Sequence, residues 1–358
     1  MNSDQQLDKC RQQIDMLDGK ILKLLNDRAV IAKLIGKIKA SVKSEVFSPD
    51  REIKILNQLA EKNKGPLSEE AINDIFQTIF VACRSLQKRI QIAYLGPEAT
   101  YTHQMAIKHF GRGADFIAMP SISDVFFEVE RKRVDYGVVP IENSTEGVVN
   151  HTLDMFVESN LHIISEREEP ISHALMSTSG NIKNVKTVYS HAQALAQCRK
   201  WLDSHLPGVA IEGAASTADA AVRAALDANS AAIASQLAAQ IYHLKPIALK
   251  IEDSPENATR FLVIGRETAK PTKRDKTSVL FSLKDRVGAL YEVLEPFRSH
   301  NINLTKIESR PTKKKAWQYV FYVDFLGHQS EPKIQKAIAQ LEQKCASLKI
   351  LGSYPYGN

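Results

Sequence analysis

Hydrophobic and polar positions change rhythm twice along the chain. From Arg11 to Lys39 one row recurs at three- and four-residue spacing: Arg11, Ile14, Asp18, Ile21, Leu25, Arg28, Ala32, Ile35 and Lys39. A second apolar row, Leu17, Leu24, Ile31 and Ile38, runs beside it. This period predicts one long amphipathic helix. At about 1.5 Å per residue it reaches roughly 50 Å or more. A small monomeric bundle cannot cover that length, so the apolar face is expected to pack against a partner chain. Ser48-Pro49 reads as an N-cap followed by Pro at the first helical position, opening a short helix to about Asn63. Gly65-Pro66 breaks it. Ser68-Glu69-Glu70 opens a third helix through Ile72, Ile75, Phe76, Ile79 and Leu86. Residues 4–88 carry no strand signal.

From residue 91 short apolar runs end in turn signals: IAYLGP, VDYGVVPIENS, VKTVYSH, AAIAS and RFLVIG. Helical stretches such as ALAQCRKWL and TADAAVRAAL lie between them. The alternation predicts an α/β fold over residues 91–266 with mainly parallel strands. ETAKPTKRDK, residues 267–276, is polar, charged and contains Pro, and reads as a linker. Residues 277–354 then read strand, helix, strand, strand, helix, strand. That βαββαβ order is a ferredoxin-like α+β unit, and the third domain is drawn as 277–358.

Composition narrows the function classes. The 358 residues favour two or three domains, and 44% hydrophobic with 25% charged residues is a globular profile. No apolar run approaches the roughly 20 residues that span a bilayer, and the opening MNSDQQLDKC is no secretory signal. Cys10, Cys83, Cys198 and Cys345 are far apart, with no C-x-x-C and no zinc spacing. Neither a metal site nor a disulfide framework is expected, and a reducing cytoplasm fits best. The net charge of +6 is scattered; its densest clusters, Lys313–Lys315 and Lys270–Lys276, read as loops. No nucleic-acid motif accompanies them. Small anionic substrates account for the surplus equally well.

Candidate chemistry begins with cations on an apolar stripe. Arg11, Arg28 and Lys39 lie on the core row of the first helix, and Arg28 and Lys39, eleven residues apart, share a face. A lone Arg there snorkels to water. Three on one stripe, with Arg51 and Gln87 on neighbouring helices, instead suggest a pocket for a substrate with two carboxylates, which the Arg fork matches. On these residues the segment 1–90 resembles the all-helical chorismate mutase family. The resemblance implies an intertwined homodimer, higher assembly being left open. Its pocket would take Arg11 from one chain and Arg28, Lys39, Arg51, Glu52 and Gln87 from the other. The rearrangement of chorismate is unimolecular and needs no nucleophile, so clamping the carboxylates enforces the reactive shape. Lys39 and Gln87 would donate to the ether oxygen. Cys83 and Ser48 stand where some relatives have a hydroxyl and an acidic residue.

Four stretches mark residues 91–266: Gly96-Pro97-Glu98-Ala99-Thr100-Tyr101-Thr102, Pro140-Ile141-Glu142-Asn143-Ser144, Tyr189-Ser190-His191 and Asn257-Ala258-Thr259-Arg260-Phe261. All fall where loops meet strand ends or helix starts, where backbone N–H groups bind anions. Taken singly, such Ser and Thr residues are caps or turn bonds. Together and in this order they resemble prephenate dehydratase. That implies two α/β lobes of periplasmic-binding-protein type around a cleft, the second lobe inserted at roughly 171–247. It also implies that Thr259 assists departure of the ring hydroxyl, that Arg260 holds a substrate carboxylate, and that Thr100, Asn143, Ser144, Ser190, His191, Asn257 and Phe261 bind and position substrate. Whether His191 takes part directly stays open. Ala99 stands where the family usually has Gly, and would be strained at positive φ; Ala192 replaces a frequent Pro.

Residues 277–354 resemble an ACT domain through Gly288-Ala289-Leu290 and Glu308-Ser309-Arg310-Pro311. Singly these read as a turn Gly and a solvated ion pair. The resemblance implies a phenylalanine site between two such domains, with Asn301 near the ligand's polar end. The whole chain thus resembles the bifunctional chorismate mutase/prephenate dehydratase family: an isomerase and a lyase on one chain, without metal or organic cofactor, in phenylalanine biosynthesis. Two rival readings are an aromatic-metabolite sensor and a mutase whose remaining length is regulatory. Products formed from chorismate separate them.

Overall fold

The computed structural model describes residues 3–42, 47–254, 256–311 and 319–356. The Lys313–Lys315 cluster and the start of the expected strand at Trp317-Gln318 lie outside them. The chain divides into two compact units: Met1–Ile90 with Phe110–Asp115, and Gln91–His109 with Phe116–Asn358.

In the first unit α1 (Ser3–Ser41), α2 (Pro49–Lys62) and α3 (Glu69–Ser85) form as the periodicity predicts. Ser68 caps α3 by accepting from the Ala71 N–H at 3.1 Å. Gly36 lets α1 approach Gln87, since a Cβ there would lie 2.7 Å from the Gln87 Cα. Only Ala32 and Gly36 of α1 are buried. Leu17, Ile21, Leu24, Ile31 and Ile38 are exposed on the unpartnered chain.

The second unit contains β1 (Gln91–Leu95), α4 (Tyr101–Phe110, its last residue grouping with the first unit), β2 (Asp115–Met119, its first residue grouping with the first unit), α5 (Ile122–Glu130), β3 (Tyr136–Asn143), β4 (Gly147–Val148), α6 (Asn150–Glu158) and β5 (His162–Pro170). A second lobe follows with β6 (Ala174–Ser177), β7 (Thr187–Ser190), α7 (Ala192–Gln197), α8 (Arg199–His205), β8 (Ala210–Gly213), α9 (Thr217–Leu226), β9 (Ser230–Ala234), α10 (Gln236–Ile241) and β10 (Lys245–Leu249). The chain then returns through β11 (Ala258–Gly265) to the first sheet, ordered β2-β1-β3-β11-β5 with β4 beside β3. The second sheet is ordered β10-β6-β9-β7-β8. The strands are mixed rather than mainly parallel. β1 is parallel to β3 and β7 to β8 and β9, but β11 runs antiparallel to β3 and β5, and β6 antiparallel to β9 and β10. A strand that re-enters a sheet from an inserted lobe is free to arrive in the opposite sense.

The C-terminal domain has the expected βαββαβ order: β12 (Asp275–Ser282), α11 (Ala289–Ser299), β13 (Leu304–Pro311), β14 (Tyr319–Leu326), α12 (Pro332–Lys344) and β15 (Ser347–Pro355), in sheet order β13-β14-β12-β15. One sheet face packs on its own helices through Val279, Phe281, Phe297 and Ile334. The other face joins the first lobe's core through Leu280, Tyr322, Leu351 and Tyr354. Gly352 permits this contact: a Cβ there would sit 2.3 Å from the Ile163 carbonyl oxygen. The linker expected over 267–276 is therefore shorter, because Asp275 and Lys276 are already buried strand residues.

Candidate functional site

In the helical unit Arg28 is half-buried, its guanidinium 5.3 Å from the Phe80 ring centre. Lys39 and Gln87 are half-buried as well, and the Gln87 Oε1 is buried without a hydrogen-bond partner among the described residues. Glu52 is held by Arg84 at 3.0 Å, while Arg51 is exposed. Arg84, 4% exposed and 4.9 Å over the Phe47 ring, is absent from the sequence-derived set, although it lies one turn before Gln87. Arg11 sits apart, exposed beside Asp8 at 3.4 Å. Seventeen residues separate it from Arg28, about 25 Å along the helix, so a single chain does not bring it to the others.

The two-lobed unit encloses a cleft of about 280 Å³. Thr100, Asn143, His191, Asn257, Thr259 and Phe261 of the sequence-derived set line it. The starts of α4, α7 and α9 border it through Thr100 to Thr102, Gln193, and Ser216 with Thr217. Ala99, immediately before, adopts φ 69°, the left-handed conformation its Gly-like position implied.

Thr259 and Asn143 are cross-strand neighbours on β11 and β3. The Asn143 Nδ2 donates to the Thr259 Oγ1 at 2.8 Å and to the Asn257 Oδ1 at 3.0 Å. Its Oδ1 accepts from the Thr145 and Glu146 N–H groups, both at 3.0 Å, which fixes the amide's orientation. The Thr259 hydroxyl is thus an acceptor from Asn143, and its single proton is not used in that bond.

A second chain of bonds crosses the cleft, joining Asn257 and Tyr101 through Gln197 and His173, which carry no local motif. The Asn257 Nδ2 donates to the Gln197 Oε1 at 3.0 Å, and the His173 Nε2 lies 2.9 Å from the same oxygen. The Tyr101 hydroxyl lies 2.8 Å from the His173 Nδ1. Burial lowers the His173 pKa from 6.5 against the opposing Gln197 bond and Glu252, so the ring is neutral at pH 7. Burial, with Cys198 and Glu252, raises that of Tyr101, which stays a neutral phenol. His173, Gln197 and Tyr101 all line the cleft and were not among the sequence candidates.

Three sequence candidates do not line it. The Ser190 Oγ donates to the Ile233 carbonyl at 2.7 Å inside the second lobe. Ser144 ties its strand end to the Glu256 carbonyl and the Ala258 N–H at 3.2 and 3.0 Å. Arg260 faces away from the cleft and is committed to Glu166 and Asp324, so no substrate carboxylate reaches it there. Neighbouring residues of a strand point to opposite faces.

In the C-terminal domain Gly288 caps α11 with φ +79°, a left-handed conformation, and a Cβ at this position would meet nothing within 4 Å. Ala289 is buried and Leu290 exposed. Asn301, exposed at φ 51°, closes the α11 turn onto the Arg298 carbonyl at 3.0 Å. Glu308 is half-buried, Ser309 exposed, and Arg310 pairs with Asp154 of α6 at 3.3 Å.

Comparison with known proteins follows this division. The chorismate mutase type II family profile matches residues 10–88, prephenate dehydratase 92–269 and the ACT domain 277–343. A bifunctional chorismate mutase/prephenate dehydratase of Aquifex aeolicus is 51% identical over 98% of this chain and 98% of its own length. A protein of the same description from Pseudomonas aeruginosa is 45% identical over 99% of each. The crystal structure of an Arthrobacter aurescens prephenate dehydratase in complex with L-Phe superposes with TM-score 0.69 at 34% identity, covering 74% of this chain and 90% of that one.

Proposed function

The chain belongs to the bifunctional chorismate mutase/prephenate dehydratase family, and from that premise we propose which residues carry its two reactions. It rearranges chorismate to prephenate and converts prephenate to phenylpyruvate, feedback-inhibited by phenylalanine. In the helical unit, Arg28 and Arg51 clamp the carboxylates, with Arg11 arriving from a second copy. Lys39 and Gln87 donate to the ether oxygen as charge develops there. Glu52, oriented by Arg84, accepts from a substrate hydroxyl.

Dehydration belongs to the cleft, and the single observation that carries this is the Asn143–Thr259 hydrogen bond. Because Asn143 is the donor, the Thr259 proton is aimed at whatever occupies the cleft. There the Thr259 hydroxyl donates a hydrogen bond to the departing ring hydroxyl, which leaves as water with a proton drawn from solvent, while the C–C bond to the lost carboxylate, released as CO2, supplies the electron pair for aromatisation. The helix starts at Thr100 and at Ser216-Thr217 supply N–H groups for the substrate carboxylates. Asn257, Gln197 and His173 hold Asn143 and the cleft wall in place, and Phe261 offers the ring an apolar surface. Prephenate supplied alone to the purified protein, with phenylpyruvate followed by absorbance, tests this reading; no turnover refutes it.

The active helical unit is a homodimer in this reading, since the apolar face of α1 is exposed on one chain and Arg11 lies about 25 Å along α1 from Arg28. Leu24→Glu combined with Ile31→Glu is expected to convert a sedimenting dimer to monomer and to remove mutase activity together. A monomeric wild type with full mutase activity contradicts it. Three buried free cysteines suit a cytoplasmic, reducing setting.

Phenylalanine binds beside Gly288-Ala289-Leu290 and the Glu308–Pro311 strand end, with Asn301 near its polar end. Gly288→Val forces a branched side chain into a left-handed conformation. The expected calorimetric result is a loss of phenylalanine affinity of about 10²-fold or more with dehydratase activity retained and uninhibited. Unchanged inhibition in that variant removes this site.

A further inference from the structure

β3 and β11 present two different surfaces. Their register pairs Thr259 with Asn143 and Arg260 with Glu142. Strand alternation sends the first pair to the cleft and the second to the reverse face, where the C-terminal sheet lies. The Arg260 Nε donates to the Glu166 Oε2 at 2.7 Å, and its NH2 donates to the Asp324 Oδ2 at 2.7 Å and to the Tyr354 hydroxyl at 3.2 Å. The Glu166 Oε1 accepts from the Lys276 Nζ at 2.6 Å. Glu142 meets the Lys306 Nζ at 2.5 Å and stands 4.0 Å from Arg260. Asp324, fully buried, accepts from the Ser278 Oγ at 2.5 Å. Three cations, Arg260, Lys276 and Lys306, therefore balance three carboxylates, Glu142, Glu166 and Asp324, in one layer.

Such a layer gains little stability over apolar packing, because desolvation offsets the attraction. What it supplies is direction: each ion admits only a narrow placement of its partner. Both first-lobe members adjoining the cleft, Arg260 and Glu142, sit one residue from the reacting pair. On the other side, alternation along β13 turns Lys306, Glu308 and Arg310 toward the first lobe, and Arg310 reaches Asp154. The same strand carries the Glu308–Pro311 motif, so a shift of β13 displaces Lys306 and with it Glu142.

We propose that Arg260 and Glu142 are positioning residues, and that the charged layer joining them to Asp324 and Lys306 holds the Asn143–Thr259 hydrogen bond in its productive geometry and carries the inhibitory signal from the C-terminal domain. The second half rests on the phenylalanine reading above; the first does not. A misplacement of about 1 Å at a reacting centre costs on the order of 10²-fold in rate, so a small shift of β11 suffices to inhibit. Effector binding then acts by favouring the displaced arrangement of the layer.

The test uses full-length protein carrying Asp324→Asn or Lys306→Gln. Each is assayed for prephenate kcat and KM with and without phenylalanine, and for phenylalanine binding by calorimetry. Mutase activity and thermal melting serve as folding controls. The expected result is a kcat lowered about tenfold or more with KM within about threefold. Phenylalanine affinity stays within about threefold, and the ratio of uninhibited to inhibited rate falls toward one. If Asp324→Asn does not fold, Lys306→Gln at the edge of the layer decides alone. Wild-type kcat together with wild-type inhibition in the folded variants overturns the proposal. A wild type that ignores phenylalanine refutes the regulatory reading and the signalling half, while the kcat comparison still decides the positioning half.

Discussion

Replacing Thr259 with Ala is expected to lower phenylpyruvate formation by about 10²–10⁴-fold, some 3–5 kcal/mol in the barrier. The side chain lines the cleft, and its hydroxyl oxygen accepts from Asn143 at 2.8 Å. Its loss deletes a donor without opening a large cavity, so the fold and the mutase reaction survive. Prephenate then accumulates from chorismate. Thr259→Ser keeps the hydroxyl and is expected to recover a substantial part of the rate. Phenylpyruvate at near wild-type rate from the Ala variant eliminates Thr259 as the donor.

Arg28→Ala is expected to cost the mutase about 10³-fold, near 4 kcal/mol, by removing half of a bidentate carboxylate clamp. Arg28→Lys should recover little of this, because an ammonium lacks the planar fork. Prephenate supplied directly should be dehydrated as fast as by the wild type, because Arg28 belongs to the helical unit and the cleft to the other. Equal loss of both activities in a folded variant points to one shared site and contradicts the division.

Much of this organisation is legible in the residues. The three helices follow from apolar spacing, from Pro49 at the start of α2 and from Ser68 as a cap, since a 3.6-residue period imposes its face locally. Ser48 precedes α2, but its Oγ donates to the Asp50 Oδ1 at 2.6 Å instead of capping the helix. The βαββαβ order likewise survives contact with the structure. Strand sense does not: nothing within RFLVIG states that β11 returns antiparallel, because its partners β3 and β5 lie roughly 100 residues or more upstream in a pairing set by tertiary contacts. The polar run 267–276 reads as a linker, yet Asp275 accepts from the Thr272 and Lys273 N–H groups and Lys276 enters a buried ion pair. Charge alone does not reveal a partner distant in sequence.

The cleft shows the same boundary. Thr259-Arg260-Phe261 reads as one contiguous motif, but alternation assigns Thr259 and Phe261 to the cleft and Arg260 to the domain contact. His173 and Gln197 escape because a lone His and a lone Gln carry no local signature. Their role appears only when β6 and α7 are brought beside Asn257. In the helical unit Arg84 is visible in retrospect as a cation one turn from Gln87. The Arg11–Arg28 separation, by contrast, could be read from sequence as a requirement for a second copy.

The most direct test is a progress curve on the purified chain given chorismate alone, with prephenate and phenylpyruvate quantified together over time. Two separate sites in one chain require prephenate to appear first and phenylpyruvate to follow until it is the sole product. A chain that consumes chorismate and stops at prephenate, or that leaves chorismate untouched, contradicts the account.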